Sequence, residues 1–122
     1  MDLIIGQLNG ALAYYRNIGN SGQYHFQEIF SDVIQVESNS APELIDNDND
    51  GDLDLILGSL REGLYFYRNV YNNFQFEQSS IIYIPKIGVN TKPAMGQLFD
   101  NNTIDIISGV STGGLYHLQK EY

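Results

Sequence analysis

The chain has 122 residues, of which 43% are apolar, enough to build a core. Acidic residues outnumber basic ones 15 to 6, giving a net charge of −9 and a pI near 4.3, which argues against nucleic acid or an anionic membrane surface as partner. There is no cysteine for disulfide or thiolate chemistry, and no apolar run long enough to insert in a bilayer as a helix. The opening Met1-Asp2-Leu3 lacks the basic n-region that begins a signal peptide.

Apolar and polar residues alternate in short runs bounded by Gly, Pro, Asn and Asp, a strand pattern, and no stretch has helical periodicity. In chain order, strands are predicted over 2–7, 12–18 and 24–30, with the turn Gly19-Asn20-Ser21-Gly22 before the third. Residues 32–40 then cross to a second set. This set comprises strands over 41–45, 53–59, 64–70 and 74–78, with turns at Arg61-Glu62-Gly63 and Asn72-Asn73. Residues 81–91, broken by Pro85 and Gly88, cross to a third set over 93–99, 104–110 and 114–119. The strand over 53–59 is apolar on both faces, with Leu53, Leu55 and Leu57 opposing Ile56, as expected of a sheet covered on two sides.

The three sets repeat one sequence. Asp2, Leu3, Ile4, Gly6, Leu8, Leu12, Tyr15, Arg16 and Asn17 recur without a gap as Asp54, Leu55, Ile56, Gly58, Leu60, Leu64, Tyr67, Arg68 and Asn69. Asp105, Gly109, Leu115 and Tyr116 begin a third copy, and Pro42 corresponds to Pro93. A period of about 51 to 52 residues lies in the range of propellers and solenoids. Four antiparallel strands per unit is the blade of a β-propeller. The expected fold is therefore all-β, a partial β-propeller: an incomplete blade over 1–31, a complete blade over 32–80, and an incomplete blade over 81–122. A closed propeller takes about four to eight blades, so the chain is expected to be a fragment of a longer repeat protein, whose further blades are partners. Strand edges at 3–7 and 115–119 are expected to stand open. Leu3, Ile5, Ile104 and Ile106 are expected to face outward.

In the complete unit, Asp46-Asn47-Asp48-Asn49-Asp50-Gly51-Asp52-Leu53-Asp54 places carboxylates at every second position. Side chains of Asp46, Asp48, Asp50 and Asp54, with the backbone carbonyl of Asp52, can wrap a hard cation in oxygens, and calcium accepts six to eight such ligands. Gly51 suits the sharp turn this needs. The loop is not an EF-hand, because its twelfth position is Leu57 and its flanks read as strands. It is expected to be a calcium loop within a β-hairpin.

Pro42, the loop from Asp46 to Asp54, Leu55-Ile56-Leu57-Gly58 and the run from Gly63 to Asn69 resemble the FG-GAP or VCBS repeat, the calcium-binding blade of integrin-α-like propellers. The resemblance covers nearly the whole chain. It implies that the loop joins the first two strands of a blade and that the calcium is structural. It also implies a secreted or cell-surface protein serving adhesion, ligand binding or sugar binding, or placed beside a catalytic domain. The third unit departs from the pattern: Gln97, Phe99, Asn101, Asn102, Thr103 and Asp105 stand at the loop positions, so weak or no calcium binding is expected there. In the first unit only Asp2 remains, at the ninth loop position. The expected function is a non-catalytic binding or adhesion module for a protein or glycan ligand. The alternative is the sugar-binding part or scaffold of a carbohydrate-active enzyme.

Other chemistry is weaker. Gly109-Val110-Ser111-Thr112-Gly113 fits the pattern of a nucleophile elbow, but a strand follows where that motif needs a helix, so a hairpin turn is expected. His25 and His117 lie on different strands without a partner constellation and read as hydrogen-bonded or exposed strand histidines. Arg16 and Arg68 end equivalent strands and read as structural, stacking on an aromatic ring or bonding a neighbouring blade. The tyrosine-rich third strands read as core between blades. Asn101-Asn102-Thr103 is a formal glycosylation sequon.

Overall fold

A computed structural model describes residues 1–61, 63–70, 75–82, 89–99 and 104–119. Ten strands and no helix occur among the described residues. They are β1 (Leu3–Gly6), β2 (Ala11–Asn17), β3 (Phe26–Gln35), β4 (Ala41–Ile45), β5 (Asp54–Gly58), β6 (Leu64–Asn69), β7 (Phe76–Ile82), β8 (Lys92–Gly96), β9 (Asp105–Gly109) and β10 (Leu115–Gln119). Three antiparallel sheets result, ordered β1-β2-β3, β4-β5-β6-β7 and β8-β9-β10. Among the described residues no sheet closes on itself.

The middle sheet is covered on both faces, because β5 carries no polar side chain between Asp54 and Gly58 to turn toward water. Leu55 and Leu57 pack with Leu12, Ile34 and Val36 of the first unit. Ile56, Leu64 and Phe66 turn the other way and pack with Ile106 of the third. The register explains the division. Ile56 pairs with Phe66, whereas Leu55 and Leu57 pair with Tyr67 and Tyr65, so alternate residues of both strands share a face. Leu53 lies before the strand and is exposed, so it does not belong to the apolar set with Leu55 and Leu57.

Two strands run further than their sequences suggest. β3 continues through Gln35 and β7 through Ile82, so the unit boundaries drawn after residues 31 and 80 fall inside strands. The reason is a bulge at the same place in each. Tyr15 pairs with Glu28 but Tyr14 with Phe30, and Tyr67 pairs with Gln78 but Phe66 with Ser80. The extra residue, Ile29 or Ser79, breaks the alternation without ending the strand.

Leu3 and Ile5 are exposed as expected, but Ile104 and Ile106 are buried. The third sheet turns the Ile106 face onto the middle sheet. The predicted turns at Glu62 and at Asn72-Asn73, the Phe74 start of the fourth strand, the Pro85 and Gly88 breaks, and the Asn101-Asn102-Thr103 sequon lie outside the described residues.

Candidate metal centre

The acidic loop joins β4 to β5, the first two strands of the middle sheet. It is built of short Asx turns. The amide of Asp50 donates to Asp48 Oδ1 at 3.3 Å, and that of Asp52 to Asp50 Oδ1 at 3.0 Å. The Gly51 amide reaches back to Asp46 Oδ2 at 3.1 Å. Such turns suit Asp because its short side chain mimics a backbone carbonyl. Asn49 and Gly51 adopt positive φ, 61° and 94°. A Cβ on Gly51 would meet nothing within 4 Å among the described residues, so glycine suits the position for its backbone conformation.

This folding brings one carboxylate oxygen from each of Asp46, Asp48 and Asp50 within 4.8 Å of one another. These three could hold a metal ion. Asp46 Oδ1 is buried and accepts no hydrogen bond from the described residues. Opposite the group, the Arg68 guanidinium sets Nε 2.8 Å from Asp48 Oδ2 and Nη2 3.3 Å from Asp50 Oδ2. The carboxyl of Asp50 is held below the usual carboxylate range, first by the Asp52 amide and then by Arg68. A cation is thus already accommodated by two of the three carboxylates, and one oxygen of the third has no described partner. The donor set is all carboxylate, which fits a hard cation such as calcium.

Asp52 and Asp54 do not join this group through their side chains. The sequence pattern assigns Asp52 only its backbone carbonyl. Asp54 is buried at the base of the loop, where Oδ1 accepts the Asn69 amide at 2.8 Å and Oδ2 the Asn47 amide at 3.1 Å. Asn69 also donates from Nδ2 to the Leu53 carbonyl at 3.1 Å. Asp54 therefore fastens the loop to the end of β6. Burial pushes its carboxyl up; the Asn69 and Asn47 amides oppose this, and the charges of Asp48 and Asp50 add to it. A cation at the loop would relieve that last repulsion.

The same fastening recurs in each unit. Asp2 Oδ1 accepts the Asn17 amide at 2.9 Å, the counterpart of the Asn69 bond. Asp105 Oδ2 accepts the Leu98 amide at 3.0 Å, the counterpart of the Asn47 bond. The second partner varies with the residue at one β-strand position: Tyr14 donates its hydroxyl to Asp2 Oδ2 at 2.8 Å, Phe66 offers nothing polar, and His117 Nε2 lies 2.6 Å from Asp105 Oδ1. His117 is thus a hydrogen-bonded strand histidine, as its sequence context suggests, and Phe99 meets its ring edge-on at 5.7 Å. At the third unit's degenerate loop, Asn101, Asn102 and Thr103 lie outside the described residues.

Sequence reasoning missed the place of Arg68, which bonds the acidic loop. The available signal was pairing: Tyr67 lies opposite Leu55, which sets Arg68 beside the start of β5, where the loop ends. Ser111 lies in the β9–β10 turn, as expected, and donates its hydroxyl to the Val89 carbonyl at 3.0 Å. No family model, curated protein or solved structure matches the chain.

Proposed function

We propose that this chain is a calcium-stabilised segment of FG-GAP-like propeller blades, serving as a non-catalytic binding or adhesion module of a secreted or cell-surface protein. The ligand class is protein or glycan. The observation that carries the reading is the gathering of one carboxylate oxygen from each of Asp46, Asp48 and Asp50 within 4.8 Å, with Arg68 paired to Asp48 and Asp50 and Asp46 Oδ1 left without a described partner. The threefold sequence repeat and a four-stranded sheet covered on both faces support the blade reading.

In this reading Asp46, Asp48 and Asp50 hold the ion, and the Asp52 carbonyl adds to the oxygen set. Calcium supplies charge neutralisation and a fixed turn. The chain's own residues supply the rest: Asp54 and Asn69 clamp the loop base, and Gly51 allows the reversal. Pinning the loop pins the β4–β5 register. Extracellular calcium modules bind at about 0.1–1 mM. At millimolar calcium, binding at the tight end of that range stabilises the fold by about 1–2 kcal/mol. Calorimetric titration of the chain should show one calcium site, weakened by Asp48→Asn and by Asp50→Asn. Absence of binding, or unchanged affinity in both variants, refutes the reading.

A further inference from the structure

The sheets are joined by a contact that occurs twice. At the first joint, Ser40 Oγ accepts the Gln7 amide at 2.7 Å and donates to the Ala11 carbonyl at 2.6 Å. At the second, Thr91 Oγ1 accepts the Ser59 amide at 3.0 Å and donates to the Gly63 carbonyl at 2.9 Å. The backbone repeats as well. The Ser40 amide bonds the Gln7 carbonyl at 3.1 Å and the Asn39 amide the Leu8 carbonyl at 3.0 Å; Thr91 and Asn90 do the same to Ser59 and Leu60, at 2.9 and 2.6 Å. Asn39 and Asn90 both have positive φ, 52° and 62°. Two residues after the hydroxyl, Pro42 or Pro93 presses on a glycine of the preceding sheet. A Cβ added to Gly6 would stand 2.7 Å from Pro42 Cδ, and one added to Gly58 would stand 2.7 Å from Pro93 Cδ. The docking segment is thus Asn–Ser/Thr–X–Pro, entering β4 in one case and β8 in the other.

The third sheet carries the receiving half of this joint. Gly109 corresponds to Gly6 and Gly58, Val110 to Gln7 and Ser59, and Gly114 to Ala11 and Gly63. The turn has its local bond as in the first unit, Gly113 amide to Val110 carbonyl at 3.1 Å, matching Gly10 to Gln7. Yet among the described residues a Cβ on Gly109 would meet only Leu115 Cδ2, at 3.9 Å, and one on Gly114 would meet nothing within 4 Å. The apolar residue beside the notch shows the same contrast. Leu12 and Leu64 are 1% and 0% exposed, whereas their counterpart Leu115 is 76% exposed.

We infer that the 109–115 surface is a docking site for an Asn–Ser/Thr–X–Pro segment that opens a further sheet of this kind. The occupant's hydroxyl sits between the Val110 amide and the Gly114 carbonyl, its proline lies on Gly109, and its sheet covers Leu115. Continuity with the two joints already formed selects this occupant. A second copy of the chain does not suit as well, because its Asn39–Pro42 and Asn90–Pro93 segments are engaged in its own joints. The inference is independent of the metal reading, since no acidic-loop residue takes part.

The test is a titration of the isotope-labelled full chain with a synthetic peptide of residues 89–96, followed through backbone amide shifts. Saturable shifts at Gly109, Val110, Ser111 and Gly114, weakened about two- to tenfold when the peptide carries Thr91→Val, are expected. Gly109→Val in the chain, with its other amide shifts retained, should abolish them; Thr112→Ala, in the same turn, should not. Absence of shifts at millimolar peptide, or equal binding by the Thr91→Val peptide, overturns the inference. So would shifts at these amides that depend on chain concentration without peptide, which would make a second copy the occupant.

Discussion

Replacing Thr91 by Val changes a hydroxyl for a methyl of nearly the same size and isolates the polar part of the joint between the middle and third sheets. Thr91 is buried, and its hydroxyl accepts the Ser59 amide while donating toward the Gly63 and Ser59 carbonyls, at 2.9 and 3.2 Å. Ser59 is fully buried, so its amide has no water to turn to. An unsatisfied buried donor costs about 1–3 kcal/mol. For a chain of this size each kcal/mol lowers the melting temperature by about 3–6 °C. Thr91→Ser is the control. It keeps the hydroxyl, reproduces the Ser40 joint, and loses one methyl worth about 0.8 kcal/mol. Urea unfolding followed by tyrosine fluorescence should therefore place Thr91→Val well below wild type and Thr91→Ser between the two. A Thr91→Val chain as stable as wild type, or a Thr91→Ser chain as unstable as Thr91→Val, would refute the assignment of the hydroxyl as the fastening group.

Arg68→Gln removes the cation that sits against Asp48 and Asp50. A metal no longer has to displace it, so calcium affinity by calorimetry should rise about two- to fivefold; a weaker site would mean that Arg68 positions the loop and does not compete for it. His117→Phe reproduces in the third unit the residue found at Phe66. The Asp105 carboxyl lies below its ordinary range because of His117, with the Leu98 amide adding to the effect. A carboxyl depressed in the folded state contributes stability above its unfolded pKa and loses it as pH falls through the folded value. Urea midpoints measured from neutral to acid pH should therefore show the acid-side loss moving to higher pH in His117→Phe. An unchanged acid limb would contradict the assigned cause.

The order of strands, the threefold repeat, the two-faced burial of β5 and the acidic loop were all legible in the residues. Each is a local pattern. Alternation of period two marks a strand, a run without alternation marks a strand covered on both faces, and a fixed offset marks a repeated unit. Partners of side chains were not legible, because they depend on register and on how one sheet lies against the next. Bulges at Ile29 and Ser79 carry β3 and β7 past the polar residues that suggest an end. Packing against Ile56, Leu64 and Phe66 buries Ile106, which the sequence places on an outer face. Strand pairing brings Arg68 to the acidic loop and sets Asp54 under the Asn69 amide, giving the ninth-position aspartate a fastening role that Asp2 and Asp105 share. Ser40 and Thr91 are unremarkable in sequence; only the close approach of Pro42 to Gly6 and of Pro93 to Gly58 brings each hydroxyl to a backbone amide of the preceding sheet. A hydroxyl buried between two backbone groups of one turn comes from a residue 28 to 33 positions further along the chain, and that convergence arises only when the sheets pack.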